Sequence, residues 1–232
     1  MSRLFVTTWF WGTKYDKEDV RKLFDGVKRH LNQPYEPVVV CRHPYDAWAV
    51  QGLKWAEMYH ADMYLTSIPG CFARLRMFDP EWQTMNGIEL GDRILNLDLD
   101  SVVTGELDPL VCRAETFMIL QGANASNPCP FNGSVMMLRA GHHADLWSDF
   151  SLDKTLVIQK YEFADDQGWI HTKLPNAPGW KVGAPSGIYA FQKPGWPKGS
   201  NDLPGDARLV VFPGWRSPAK FAQLPWIKEH WV

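Results

Sequence analysis

The sequence predicts an α/β protein built on a mixed, mainly parallel sheet that is flanked by helices. Two observations predict this class. The first 41 residues alternate strand, helix and strand, and short apolar segments of strand length recur further along the chain. Parallel strands need a crossover connection, which is usually a helix, so this alternation is typical of a sheet covered by helices.

The strand–helix–strand unit occupies the N-terminal part of the chain. Residues 4–8 (LFVTT) have the composition of a buried strand. From Asp16 onward, apolar residues recur at helical spacing, at Val20, Leu23, Phe24, Val27 and Leu31. Pro34 ends this helix, and residues 37–41 (PVVVC) form the second predicted strand.

The middle of the chain supplies further elements. We expect a helix over residues 47–59, and residues 71–78 are also compatible with a helix, which carries Arg74 and Arg76. Residues 156–163 are apolar but favour neither helix nor strand. Short strands are predicted directly before Asp98, at residues 117–120 and at residues 135–138.

The composition changes near residue 175. Pro, Gly and Trp dominate from there, with one clear strand at residues 208–212. We therefore expect one compact domain in which residues 1–174 form the α/β core. Residues 175–232 are expected to form an irregular Pro/Gly/Trp-rich C-terminal lobe wrapped on the sheet.

Composition and charge narrow the possible functions. The chain has 232 residues, of which 45% are hydrophobic, so it can bury a sizeable core and disorder is not expected. A net charge of −2 and a pI near 6.4 give no basic signature and do not suggest a nucleic acid as the main ligand. No apolar run reaches the roughly 18 residues of a membrane span. The N-terminus lacks the pattern of a signal peptide.

Cysteine and tryptophan usage adds two expectations. The four cysteines, at positions 41, 71, 112 and 129, contain no C-x-x-C pair, so we expect reduced thiols in a soluble, cytoplasmic protein. There are 12 tryptophans, and core packing explains most of them. Trp9, Trp11, Trp196 and Trp215 lie after a strand or among Pro and Gly, where a ligand surface is a further possibility.

The most informative segment is Asp98-Leu99-Asp100, which follows a short apolar strand. In an extended chain residues i and i+2 project to the same side, so the two carboxylates can share one hard cation such as Mn2+ or Mg2+. Open α/β sheets bind ligands beyond the carboxyl ends of their strands. An ordinary surface turn is the alternative, but the apolar flanks favour a strand end and hence a metal site formed by Asp98 and Asp100.

These residues resemble a known family. Residues 95–103 (LNLDLDSVV), followed by residues 107–110 (LDPL), resemble the Asp-x-Asp region of GT-A fold glycosyltransferases, a Rossmann-like class. They are most similar to the retaining branch that includes glycogenin and bacterial lipooligosaccharide galactosyltransferases. Residues 130–136 (PFNGSVM) resemble the family's Phe-Asn strand, and residues 212–218 (FPGWRSP) its C-terminal segment over the diphosphate.

The resemblance implies roles for several residues. Asn132 would face the donor sugar or the acceptor. Asp166 would bind donor-sugar hydroxyls, and Gln167 would lie near the anomeric carbon. Arg74 and Arg216 would reach the diphosphate. The chain departs from the family at Pro213, where a histidine usually supplies a third metal ligand.

The resemblance further implies transfer of a hexose from a nucleoside diphosphate sugar, a UDP-sugar in this family, to a hydroxyl acceptor with retention of configuration. Residues 175–232 would close over the donor. Thr7, Thr8 and the cluster from Trp9 to Trp11 offer hydroxyls and aromatic faces for the nucleotide base, although packing explains the aromatics equally well.

Two alternatives and the acceptor stay open at this stage. A sugar-phosphate nucleotidylyltransferase would carry a Gly-rich basic loop after the first strand, where this chain has only Gly12 and Lys14. A non-catalytic sugar-nucleotide or glycan-binding module is favoured by Pro213. The acceptor can be a glycan, a lipid-linked glycan, a protein or a modified DNA base, and the sequence does not indicate the oligomeric state.

Overall fold

The computed structural model of the protein describes residues 2–42, 53–124, 127–156 and 164–232. Its strands are β1 (Leu4–Phe10), β2 (Glu36–Cys41), β3 (Lys54–Glu57), β4 (Arg93–Leu97), β5 (Ser101–Val103), β6 (Phe117–Gln121), β7 (Phe131–Arg139), β8 (Gly179–Lys181), β9 (Ile188–Ala190) and β10 (Leu209–Val211).

The helices are short apart from the first. They are α1 (Lys17–His30), α2 (Pro80–Met85), α3 (Asp108–Val111), α4 (Asp145–Ser148), α5 (Leu152–Leu156), α6 (Asp166–Lys173) and α7 (Pro225–His230). Three further segments form 3₁₀ helices, at His60–Ser67, Phe72–Phe78 and Pro218–Phe221.

Within the described residues, the main sheet has the strand order β3-β2-β1-β4-β7-β6-β8. Strands β3, β2, β1 and β4 are parallel to one another, whereas β7 runs antiparallel to both β4 and β6. A small second sheet has the order β5-β10-β9. The predicted class, a mixed and mainly parallel sheet flanked by helices, is confirmed.

Both faces of the main sheet are buried, and successive strand residues alternate between them. In β1, Leu4 and Val6 belong to one hydrophobic cluster, and Phe5 and Trp9 to the other. Because side chains on a strand alternate between the two faces, a strand that is covered on both faces reads as a continuous apolar run. This burial explains why the predicted strands at residues 37–41 and 117–120, and the start of the first strand at residues 4–6, are apolar.

Helix α1 shows how local sequence defines an element. Asp16 accepts hydrogen bonds from the backbone of Glu18 and Asp19, and the Asp19 side chain accepts one from the Asp16 backbone, which completes a capping box. The apolar face of the helix is buried. Gly26 lets the helix approach β5 closely, since a Cβ at Gly26 would lie 3.1 Å from Val103 Cβ.

Two predicted elements differ from the structure. The helix expected over residues 47–59 is wrong from residue 54 onward, where β3 forms an edge strand, and residues 47–52 lie outside the described residues. In β3 only Ala56 is buried, so the apolar pattern that identifies an inner strand is missing. Residues 71–78 form a 3₁₀ helix at Phe72–Phe78. Of the ambiguous segment 156–163, residues 157–163 lie outside the description.

The C-terminal lobe consists of short elements joined by turns, as its composition predicts. The proposed division at residue 174 remains a prediction, but two strand pairings cross it. β8 belongs to the main sheet, and β5 pairs with β10 in the small sheet. In the parts of the chain that the structure describes, no helix has the length and apolar character needed to cross a bilayer.

Candidate active site

A cleft of about 410 Å³ opens where β1 and β4 end and β7 begins. This is the carboxyl edge of the parallel strands, the edge at which α/β sheets bind ligands. Eight site candidates named from the sequence line it: Trp9, Trp11, Arg74, Asp98, Asp100, Asn132, Asp166 and Gln167. The volume lies in the range of small-molecule sites.

The Asp98-Leu99-Asp100 segment forms the turn between β4 and β5. The Asp98 backbone N–H donates to the Ser134 carbonyl oxygen at 3.0 Å, which ties the turn to β7. The Asp98 carbonyl oxygen accepts from the Ser101 N–H at 3.1 Å. Leu99 is buried in the core, while both aspartates line the cleft.

Asp100 is held from one side. Its Oδ2 accepts hydrogen bonds from the Tyr15 hydroxyl at 2.7 Å and the Lys14 Nζ at 3.3 Å. Its Oδ1 is buried and has no partner among the described residues. Burial and the neighbouring Asp98 charge raise the pKa of Asp100 to about 6, an effect that Lys14 and Tyr15 oppose.

Arg74 is buried and contacts three groups on the Asp98 side of the cleft. Its Nε donates to Asp166 Oδ2 at 2.9 Å and its Nη2 lies 2.7 Å from the same oxygen. Its Nη1 donates both to Asp98 Oδ1 and to the Gly133 carbonyl oxygen. These contacts use most of the donors of the guanidinium, so Arg74 holds Asp98 and Asp166 in place and has little left for a ligand.

Burial and the Arg74 guanidinium shift the pKa of Asp166 in opposite directions. Burial raises the pKa of Asp166 to about 7, and the Arg74 charge opposes that rise. The Asp166 Oδ1 accepts from the Gln167 N–H at 2.9 Å, so both carboxylate oxygens are engaged. At 2% exposure, Asp166 is almost wholly inside the protein, although it borders the cleft.

Gly133 leaves space for the Arg74 guanidinium. A Cβ at this position would lie 2.3 Å from Arg74 Nη2 and 3.0 Å from its Cζ. No side chain can occupy that space unless the guanidinium moves. The glycine in the Asn132-Gly133 pair is therefore explained by the close approach of a buried charge to the backbone.

Asn132 and Gln167 are fixed by hydrogen bonds to nearby backbone and side-chain groups. The Asn132 Oδ1 accepts from the Ser134 N–H at 3.1 Å. The Gln167 Oε1 accepts from the Gly133 N–H at 3.1 Å, and its Nε2 donates to Asp165 Oδ2 at 2.8 Å. Asp165 is also the N-cap of α6. This edge of the cleft is rigid, because each polar group is oriented by another.

Three of the residues expected to contact the nucleotide base, Thr7, Thr8 and Trp9, lie differently from one another. Thr7 and Thr8 are buried within the sheet and do not line the cleft. Thr7 donates to the Asn96 side chain at 3.2 Å. Trp9 does line the cleft, but its ring stacks on Trp82 with 5.8 Å between centroids, so it serves as the wall beneath the more exposed Trp11.

The C-terminal segment contributes backbone to the cleft. Pro213 and Gly214 line it, whereas Arg216 does not. Arg216 lies at the rim with its Cζ 5.3 Å from the Trp215 ring centroid. Trp196, considered for a ligand surface, is 7% exposed and packs edge-on against Phe191.

The structure adds cleft residues that the sequence did not indicate. Lys14 and Tyr15 follow β1 in a loop without periodicity, and Cys71 has a left-handed backbone with φ of 55°. Gly70, with φ of 108°, packs against Ala164 and Phe72. The signal that could have found Lys14 and Tyr15 was their place after the first parallel strand, at the edge where Asp98 lies.

A divalent cation fits this site in part. The described residues contain no group of three or more His, Cys, Asp or Glu side chains suited to a metal ion. Mg2+ is nevertheless often bound by one or two carboxylates together with substrate phosphates and water. The unpartnered Asp100 Oδ1 is a buried oxygen of the type that such an ion binds.

Comparison with solved structures identifies the architecture. A structure of the galactosyltransferase LgtC in complex with donor and acceptor sugar analogues aligns with a TM-score of 0.59 and 12% identity. The alignment covers 99% of this chain and 96% of LgtC. The chain has the GT-A fold. An active-site mutant of LgtC gives a TM-score of 0.57 at 13% identity, covering 93% of this chain and 89% of that one.

A second glycosyltransferase aligns over only part of its length. The apo form of the glycosyltransferase GlyE from Streptococcus pneumoniae TIGR4 gives a TM-score of 0.56 at 14% identity, covering 99% of this chain. This chain spans 63% of GlyE, less than two thirds of its length. No protein-family model and no curated protein matches the sequence. At these identities the likeness establishes the fold.

Proposed function

We propose that the protein is a glycosyltransferase that moves a hexose from a nucleoside diphosphate sugar, a UDP-sugar, to a hydroxyl acceptor with the help of Mn2+ or Mg2+. One observation carries the proposal. Asp98 and Asp100 line one cleft at the carboxyl edge of the parallel strands, with Asp98 oriented by a buried guanidinium. The names of the aligned structures, both glycosyltransferases, support it.

The charge of the cleft supports the metal. Among the described residues, its lining carries more carboxylates than cations, namely Asp98, Asp100, Asp165 and Asp166 against Lys14 and Arg74. A diphosphate that entered this cleft alone would meet an excess of negative charge. A divalent cation held by Asp98 and Asp100 would reverse that repulsion and neutralise the charge that develops on the leaving diphosphate.

The remaining roles fall to the protein. Arg74 positions Asp98, and Asp166 positions Arg74, because its two oxygens are already engaged. The expected contact of Asp166 with sugar hydroxyls stays a prediction beside this role, and Asp166 borders the cleft. Asn132 and Gln167 are half-buried and hydrogen-bonded into place, and we assign their remaining amide surface to the donor sugar. A structure of LgtC carries a glutamine-to-glutamate change in its active site, and Gln167 is our candidate for the matching position.

The bond changes balance without an enzyme nucleophile. The bond between the anomeric carbon and the diphosphate oxygen breaks, and a bond to the acceptor oxygen forms. The acceptor proton passes to the leaving phosphate oxygen. Because the acceptor then approaches from the side of the leaving group, the configuration is retained. Positive charge at the anomeric carbon is typical of glycosyl transfer.

Thermal-shift and hydrolysis measurements test the proposal. A panel of nucleoside diphosphate sugars is added to the purified protein with and without Mn2+, and a sugar nucleotide should raise the melting temperature only with the metal. Released sugar is measured by NMR, which also reports the anomeric configuration. Asp100→Asn and Asp98→Ala should abolish both signals, whereas Asp153→Asn, an exposed carboxylate elsewhere, should keep them.

Other outcomes identify the alternatives. Binding with micromolar affinity but no hydrolysis or transfer with any donor indicates a binding module. Release of pyrophosphate from a nucleoside triphosphate and a sugar phosphate indicates a nucleotidylyltransferase. Full activity of the Asp100→Asn protein refutes the metal role.

A further inference from the structure

An exposed tryptophan lies just outside the cleft. Trp215 is 65% exposed, more than any other tryptophan in the part of the chain that the structure describes. It directly follows Pro213 and Gly214, which line the cleft. An indole left in water forgoes the free energy of burying a large apolar surface, so its exposure at the mouth of a binding cleft favours a ligand contact.

The segment that carries Trp215 is anchored on both sides. Phe212 before it is fully buried, and Phe221 after it packs against Phe191 with 4.8 Å between centroids. The Lys14 Nζ donates to the Gly214 carbonyl oxygen at 3.1 Å. The Lys220 Nζ donates to the Trp215 carbonyl oxygen at 2.7 Å. Trp215 is therefore presented on a fixed support.

Two cations accompany the ring. The Lys220 Nζ lies 4.8 Å and the Arg216 Cζ 5.3 Å from the Trp215 centroid. The Arg216 Nε is buried and has no hydrogen-bond partner among the described residues. Neither cation forms an ion pair with a described carboxylate, unlike Arg74 and Lys14 in the cleft. A guanidinium with free donors next to an ammonium is suited to a carboxylate or a phosphate.

We propose that Trp215, Arg216 and Lys220, the rim cluster, bind a saccharide acceptor that carries an acidic substituent. The indole stacks on the sugar ring, and the two cations bind its carboxylate or phosphate. The proposal rests on the proposed function and names the acceptor class for it. The rim cluster lies outside the cleft lining, so a ligand there reaches the donor from the solvent side, as an acceptor must.

Titration of the Trp215 indole N–H signal in NMR spectra, assigned with Trp215→Phe, tests this. The probes are methyl glucuronide, glucose 6-phosphate, methyl glucoside and inorganic phosphate. At least one of the two acidic sugars should shift the signal at lower concentration than methyl glucoside and phosphate do, and the one that binds distinguishes carboxylate from phosphate. Trp215→Ala and Arg216→Gln should each weaken that binding roughly tenfold, followed through the backbone N–H signal of Gly214, which both variants keep.

Matched controls separate this proposal from the proposed function. Trp55→Ala and Lys198→Gln, which change an exposed tryptophan and a lysine elsewhere, should leave saccharide binding unchanged. UDP binding in the presence of Mn2+ should be the same in wild type and in the rim variants. A loss of UDP affinity in Arg216→Gln would assign the rim cluster to the donor and overturn the proposal.

The remaining outcomes of the titration test the role of each part of the rim cluster. Equal binding of neutral and acidic sugars removes the role of the cations, and equal binding of phosphate and glucose 6-phosphate removes the role of the indole. No response to any saccharide overturns the acceptor assignment, while the proposed function stands if UDP still binds with Mn2+.

Discussion

The two cations of the cleft, Arg74 and Lys14, each contact one aspartate of the Asp98-Leu99-Asp100 turn, but in opposite settings. Arg74 has a side chain 5% exposed and contacts Asp98, Asp166 and the Gly133 carbonyl oxygen. Lys14 has a side chain 45% exposed and makes two contacts longer than 3 Å, to Asp100 and to the Gly214 carbonyl oxygen.

The two ion pairs differ in whether they can break when a ligand binds. A buried charge cannot lose its partners without a large penalty, so the Arg74 side of the cleft keeps one geometry. An exposed ion pair contributes little free energy and exchanges readily with water or ions. We therefore expect the Asp98 side to be a fixed wall and the Lys14 side to adapt to the ligand.

Removing the buried cation should have the largest effect. Arg74→Met leaves Asp166 buried without its partner, which should cost about 3–5 kcal/mol of unfolding free energy. A fall in melting temperature of about 10 °C is expected for a domain of this size. Loss of Mn2+-dependent UDP binding should accompany it, because Asp98 is no longer oriented. Calorimetry and titration measure the two effects.

Arg76 provides the control for that variant. It lies on the same 3₁₀ helix and pairs with Asp62 and Asp79, away from the cleft. Arg76→Met should lower the melting temperature yet leave UDP affinity unchanged at a temperature where the protein is folded. If both variants lose UDP binding alike, Arg74 has no special role in the cleft.

Gly133→Ala should disturb the Arg74 side of the cleft less than Arg74→Met does. The added methyl group would lie 2.3 Å from Arg74 Nη2, so the guanidinium must move, at a cost of about 1–3 kcal/mol. Gly205→Ala is the matched control, because a Cβ there meets no atom within 4 Å. Equal melting temperatures of the two variants would show that Arg74 is not confined as described.

On the other side of the cleft, Tyr15→Phe removes one hydrogen bond to Asp100. Burial and the Asp100 charge raise the pKa of Tyr15, so its hydroxyl stays a donor at neutral pH. Its loss should cost about 1 kcal/mol, seen as a fall of roughly 2–4 °C in melting temperature. An effect as large as that of Arg74→Met would contradict the contrast between the two sides.

The smallest effect on stability is expected for Lys14→Met, at most about 1 kcal/mol, because the ion pair is exposed. Lys14 and a divalent cation compete for Asp100, so the variant should bind Mn2+ up to about fivefold more tightly. Electron paramagnetic resonance of free Mn2+ measures this. Weaker Mn2+ binding in the variant would mean that Lys14 assists the cation instead.

Most of the fold could be predicted because inner strands and α1 have regular apolar patterns. The Asp98–Asp100 pair was found because a strand end can be read from the apolar run before it. Edge strand β3 could not be read, since only Ala56 in it is buried. Lys14 and Tyr15 were missed because loop residues have no periodicity, and their approach to Asp100 depends on long-range packing.

Thr7 and Thr8 show the opposite limitation. Their position after the buried start of β1 suggested the ligand edge, but the strand continues to Phe10 and keeps both hydroxyls inside the sheet. Strand ends are the least certain part of such predictions. Arg74 followed from the family resemblance alone, and the structure shows its buried guanidinium in contact with Asp98 and Asp166.

The antiparallel pairing of β4 with β7 has a consequence for how this site can vary. Leu97 pairs with Val135, and the Asp98 N–H donates to the Ser134 carbonyl oxygen, so the acidic turn and the Asn132-Gly133 pair share one register. A single-residue deletion in either strand would turn the following side chains of that strand to the opposite face of the sheet. Both the acidic turn and the Asn132-Gly133 pair would then lose their positions. Insertions are therefore expected to accumulate in the loops around the cleft, where substrate preference can diverge while this paired frame is inherited intact.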